Sequence, residues 1–194
     1  MIEEALRFIR TELNNYLNNK ITPIAESRVE LGNVAKLGDA AANDLVNKIV
    51  VSLINIEEDR ISKNPENFVR VDNKTVYKNP KIHLNIYCLF SVNRESYSDA
   101  LKQLSFIIQF FQHKNVFTHE IAPGLDAGID KLIFDLYSLN FEQVNHLWGT
   151  LGGKYLPSVL YKMRMITIDE GLITAESAFI KEIGIQSEDY TNVL

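Results

Sequence analysis

Ile82-His83-Leu84-Asn85-Ile86-Tyr87-Cys88-Leu89-Phe90-Ser91-Val92 puts Ile82, Leu84, Ile86, Cys88, Phe90 and Val92 at every second residue. Successive side chains of a strand point to opposite faces, so this period of two predicts a β-strand with one apolar face. Towards the N-terminus, Leu45 to Ile56 predicts a second long strand. Its run Ile49, Val50, Val51, Leu53, Ile54, Ile56 is rich in β-branched residues and too continuous for one-sided alternation, so its middle is expected to be buried on both faces. Towards the C-terminus, Ala100, Leu101, Leu104, Ile107, Ile108 and Phe111 recur at helical spacing behind a serine cap, Ser96 or Ser98.

The same reading extends to both ends. Ile2, Leu6, Ile9, Leu13 and Leu17 draw one apolar stripe down an N-terminal helix, with Glu3 and Glu4 in its first turn and Pro23 marking its exit. Arg28 to Val34 suggests a short strand around Gly32, Val69, Val71 and Val76 a weak extended segment, and Gly38 to Asp44 a loop. Strands are predicted at Val116 to Glu120 and Lys131 to Leu139, on either side of a turn at Pro123-Gly124. Asn140 caps a short helix through Phe141, Val144, Leu147 and Trp148, which glycines end, and Leu156 to Ile168 is a last long strand. Interleaved strands and helices define an α/β (α+β) class: a single domain with a mixed β-sheet flanked by two long helices. Its body is residues 1–170, followed by an acidic, extended C-terminal arm, residues 171–194.

Composition bounds the function. The chain has 194 residues, 46% of them apolar and 23% charged, with nine Gly and five Pro, the profile of an ordered domain. At this length roughly 70% of the unfolded surface can be buried, so neither disulfides nor a structural metal is needed, and the single cysteine agrees. No run approaches the roughly 18 apolar residues of a membrane span, and Met-Ile-Glu-Glu lacks the basic start of a secretion signal, so the expectation is a cytoplasmic protein without direct membrane insertion. Net charge is −5, and all of it sits in the last 26 residues: six carboxylates from Asp169 to Asp189 against Lys181, leaving a neutral body. A nucleic-acid partner would need a concentrated basic face, and none is predicted.

Catalytic signatures fail individually. In Gly149-Thr150-Leu151-Gly152-Gly153-Lys154 the first phosphate-loop glycine is replaced by Trp148 and the magnesium-holding hydroxyl by Tyr155. His119-Glu120 begins a zinc-protease pattern, but Pro123 stands where the second histidine belongs. Cys88, inside an alternating apolar face, reads as an inert core thiol, and Asp126 and Asp130, with Gly124 and Gly128 around them, read as a solvated loop. No catalytic, cofactor-binding or metal residue and no small-molecule substrate is therefore assigned. Leu147, Trp148 and Tyr161 join Cys88 as expected core; for Trp148 a recognition hot spot is the alternative. In the arm, Phe179, Ile180, Ile183 and Ile185 beside Glu182, Glu188 and Asp189 are too apolar for a solvating tail, and either dock on another protein or pack on their own domain.

Taken together, the N-terminal amphipathic helix, the loop with Asn64, Asn79-Pro80-Lys81-Ile82-His83-Leu84-Asn85-Ile86-Tyr87, the helix opened by Tyr97 with Ala100-Leu101, Leu147-Trp148 and Leu156-Pro157-Ser158-Val159-Leu160-Tyr161-Lys162-Met163-Arg164 resemble a known family. It is the tail-terminator, or cap, family of phage-tail-like contractile injection systems, of the antifeeding-prophage and virulence-cassette type. The resemblance implies a structural protein without a cofactor, a homo-hexamer ring that closes the inner tube, binds the last sheath layer and fixes tail length. It implies assembly in the cytoplasm, then a place in a particle that is membrane-anchored or released. The alternatives are a neck or baseplate component of the same machine and a small metal-dependent enzyme built on His119, Glu120, Asp126 and Asp130.

Overall fold

The computed structural model describes residues 1–21, 26–37, 44–59, 68–71, 74–78, 83–152, 154–167 and 173–178. In chain order the elements are α1 (Ile2–Lys20), β1 (Val29–Leu31), β2 (Ile49–Glu58), β3 (Phe68–Val71), β4 (Lys74–Lys78), β5 (His83–Val92), α2 (Tyr97–His113), β6 (Val116–Thr118), β7 (Ile129–Leu136), α3 (Phe141–Thr150), β8 (Ser158–Thr167) and β9 (Ile173–Ala178). They fall into two compact units, Met1–Lys63 with Lys81–Ile168, and Asn64–Pro80 with Asp169–Leu194.

The first unit is built on a six-stranded sheet in the order β1-β2-β5-β8-β7-β6. β1 runs parallel to β2 and the other pairings are antiparallel, so the sheet is mixed, as the interleaved pattern predicts. The strand that decided the sequence reading lies inside it: Cys88 of β5 sits opposite Leu53 of β2 and Tyr161 of β8. Its period of two sends Ile86, Cys88, Phe90 and Val92 into one core, where they meet the α1 stripe Ala5, Leu6, Ile9, Leu13 and Leu17. α2 adds Ile107, Phe110 and Phe111 to the same core. There the Phe111 ring lies 4.6 Å from that of Phe134 and 4.3 Å from that of Tyr161, and Phe117 meets Phe134 edge-on at 5.9 Å. Each such pair adds about 0.5–1.5 kcal/mol to the area it buries.

β2 begins at Ile49 rather than at Leu45. Asn47 adopts φ 58, a left-handed turn that asparagine tolerates and that no strand can contain. From Ile49 to Ser52 the strand is buried on both faces, then a register shift between Leu53 and Asn55 re-aims it and its second half is largely exposed. Gly32 packs closely beside it: a Cβ there would lie 2.8 Å from a Leu45 methyl, which would have to turn aside. The buried Ser52 hydroxyl is satisfied by donating to the Gly32 carbonyl at 2.5 Å and accepting from the Val34 N–H at 3.1 Å. The stripe on α2 is wider than its contact with the sheet, so Leu101 and Ile108 face outward.

The second unit is a three-stranded antiparallel sheet in the order β3-β4-β9. The weak segment around Val69 and Val76 is a hairpin, with Val69 opposite Val76. The start of the expected arm, Ile173–Ala178, is a strand paired with β4, Glu176 opposite Val76.

Candidate assembly surface

α3 lies on the sheet face opposite α1 and α2. Its start follows from local chemistry: the Asn140 side chain accepts from the Gln143 N–H at 2.8 Å, and Gln143 accepts from the Asn140 N–H at 3.0 Å, a reciprocal cap. Val144, Leu147 and Trp148 then pack on a second, smaller cluster with Val34, Leu89 and Leu160. The helix ends at a glycine turn in which Gly152 takes φ 98, so this stretch is a helix terminus and not a phosphate loop.

This face is incompletely covered. Trp148 is 5% exposed and meets the Tyr155 ring edge-on at 5.4 Å, while Tyr155 itself is 63% exposed. Between α3 and the ends of β7 and β8 is an open hollow of about 260 Å³ lined by Leu136, Tyr137, Leu139, Leu147 and Trp148. Tyr137, which lines it, is 38% exposed, and Phe141 at the start of α3 is 96% exposed. Phe141 is the first helical residue, beyond the reach of the cluster on which Val144 and Leu147 pack. Contiguous apolar side chains left in water are a common feature of binding surfaces.

Further along the same sheet face the side chains turn polar. Tyr87 donates its hydroxyl to Glu57 at 3.0 Å and stacks edge-on with Tyr137 at 5.1 Å. Burial first, and the Glu57 carboxylate second, push the Tyr87 hydroxyl up to about 12. Arg164 pairs with Asp135 at 2.9 Å. An apolar hollow beside charged and hydroxyl groups is the composition of a recognition surface.

The expected site residues divide sharply. Cys88 is fully buried and burial pushes its thiol up to about 12, which leaves it protonated and unreactive near neutral pH. Tyr161 is buried in the main core, Trp148 in the smaller cluster, and Leu147 is half-buried against that cluster. Asp126 accepts from the Gly128 N–H at 2.8 Å in a turn, and among the described residues no three of His, Cys, Asp and Glu come together as metal ligands. Phe179, Ile180, Glu182, Ile183, Ile185, Glu188 and Asp189 lie outside the described residues. Among the described residues no helix is long and apolar enough to cross a membrane. Sequence reasoning missed Phe141, Leu136 and Tyr155; Phe141 immediately after the Asn140 cap was the available signal.

A mixed sheet backed by two long helices on one face and by one short helix on the other defines an α+β domain. The chain belongs to the family described as the Pvc16 N-terminal domain, whose family model matches residues 4–182. This agrees with the tail-terminator resemblance. Its fold is similar to that of the sheath/tube terminator of PVC, an extracellular contractile injection system, solved in the extended state: TM-score 0.64, 12% identity, 100% of this chain and 65% of that one. It is also similar to the tube-terminating cap of the anti-feeding prophage: TM-score 0.59, 14% identity, 92% of this chain and 60% of that one. The chain thus spans under two thirds of each of these structures. No curated protein matches it in sequence.

Proposed function

We propose that the protein is a structural terminator of a contractile tail, closing the end of the inner tube and contacting the last sheath layer. The reading is supported above all by the family match together with a fold that follows two terminating caps over nearly the whole chain. It acts as a homo-hexamer ring, in which a patch on one subunit binds a different patch on the next, and it performs no catalysis. The surface around Phe141, Tyr137 and Tyr155 is the part of the first unit best suited to a protein neighbour. The segment 171–194 is a second attachment element that reaches tube, sheath or the adjacent subunit. The protein is made in the cytoplasm and remains in the particle.

The test is mass and attachment. Six copies of 22.2 kDa give about 133 kDa by light scattering, either alone or with purified tube and sheath proteins. A chain that stays near 22 kDa and binds neither protein overturns the reading. Because Ile173–Ala178 is a strand of the second sheet, truncation after Ala178 tests the segment: attachment is lost while the fold remains, and unchanged attachment removes the segment from the proposal.

A further inference from the structure

Phe141 leaves the first turn of α3 with 96% of its surface in water, more than any other large apolar side chain among the described residues. The next residue, Glu142, is exposed as well, and so is Lys154, which precedes Tyr155 in the wall of the hollow beside α3. Other surface charges of the first unit are matched, Glu3 with Arg7, Asp99 with Lys102 and Asp135 with Arg164. Among the described residues neither Glu142 nor Lys154 forms an ion pair.

The hollow has the chemistry to hold such a ring. Tyr137, Leu139, Val144, Leu147, Trp148 and Tyr155 line it, and its volume of about 260 Å³ exceeds the roughly 150 Å³ at which an apolar cavity takes up benzene. Phe141 of the same chain does not fill it, because that ring stands in solvent at the far end of the helix. One surface thus carries an apolar knob beside an unmatched carboxylate and an apolar hole beside an unmatched ammonium group.

We propose that the hollow receives Phe141 of a second copy of this chain and that Glu142 of that copy faces Lys154, an inference that rests on the ring proposed above and names one of its contacts. Knob and hole are different patches, so each subunit enters one neighbour and receives another, the head-to-tail arrangement that closes into a ring. Burial of the ring supplies affinity and the opposite charges fix the register. The complementary pair selects this chain as the occupant: a neutral or basic anchor would leave Lys154 unmatched.

Mixing full-length Glu142→Cys with full-length Lys154→Cys under mild oxidation, both alone and with purified tube and sheath proteins, tests the contact. The native Cys88 is buried and does not compete. The mixture is expected to give a disulfide-linked product of twice the 22.2 kDa chain mass. Its yield should be at least tenfold above that of Glu142→Cys mixed with Lys102→Cys, an equally exposed lysine position on α2. Adding Phe141→Ala to the Glu142→Cys chain should lower the yield at least tenfold with the circular dichroism spectrum unchanged, since Phe141 supports no part of the fold. No product in either setting, a yield equal to that of the Lys102→Cys control, or a product undiminished by Phe141→Ala overturns the contact. Binding of tube and sheath is read separately on the unmodified protein: binding without the product overturns the contact and keeps the terminator role, and the product without binding keeps the contact and overturns that role.

Discussion

The two faces of the six-stranded sheet use the same strands for opposite ends. On one, α1 and α2 seal Phe90, Phe111, Phe117, Phe134 and Tyr161 into a continuous aromatic core. On the other, the ten-residue α3 covers a small cluster around Trp148 and leaves Phe141, Tyr137 and Tyr155 in water. A two-helix layer can hide the whole apolar face of five or six strands; one short helix cannot. Stability is concentrated on the first face, which frees the second for contacts that help no isolated subunit.

The sharpest way to break this comparison is to truncate a ring in each face. Phe111→Ala removes a side chain packed against Phe90, Phe134 and Tyr161, and is expected to destabilise the protein by about 4 kcal/mol in chemical denaturation. Trp148→Ala is expected to cost about 3 kcal/mol, the lower end for such a change, because its cluster borders an open hollow that can relax. Equal losses at the two positions would erase the distinction between the faces.

Alkaline pH probes both faces at once. Burial pushes the Tyr161 hydroxyl, on the covered face, and that of Tyr87, on the other, up to about 12 from an ordinary value of 10.0. The unfolded chain therefore releases these protons first, so their stabilisation is fully present below pH 10 and is lost as the pH rises from about 10 to 12. Denaturation midpoints measured across that range should fall, and Tyr161→Phe should flatten the fall; a flat profile in the unmodified protein contradicts the burial of both hydroxyls.

Smaller effects sharpen the picture at α3. Asn140→Ala removes the reciprocal cap and should lower stability by about 1 kcal/mol. Phe141→Ala should change stability by less than about 0.5 kcal/mol, since the ring touches solvent almost everywhere, yet it should weaken co-sedimentation with tube and sheath proteins. A stability loss of several kcal/mol at Phe141, with attachment intact, would make the open face an ordinary part of the core.

How much of this was legible depended on the range of the physics involved. The alternation from Leu84 to Val92 and the α1 stripe are local consequences of strand and helix periods, and each element forms where those periods place it. The caps at Ser96 and Asn140 were equally local. The exposure of Phe141 was not legible, because periodicity reports which residues share a helix face and is silent on where that helix meets the sheet.

From the sequence alone came the element types, the mixed α/β class, the neutral body with its acidic end and the burial expected of Cys88, because these follow from side-chain spacing and composition. Tertiary structure alone decided the strand order β1-β2-β5-β8-β7-β6, the pairing of β9 with β4 and the exposure of Phe141. Each of those depends on which distant segments pack together, and packing is set by the complementary shapes and charges of whole surfaces rather than by the period of any one segment.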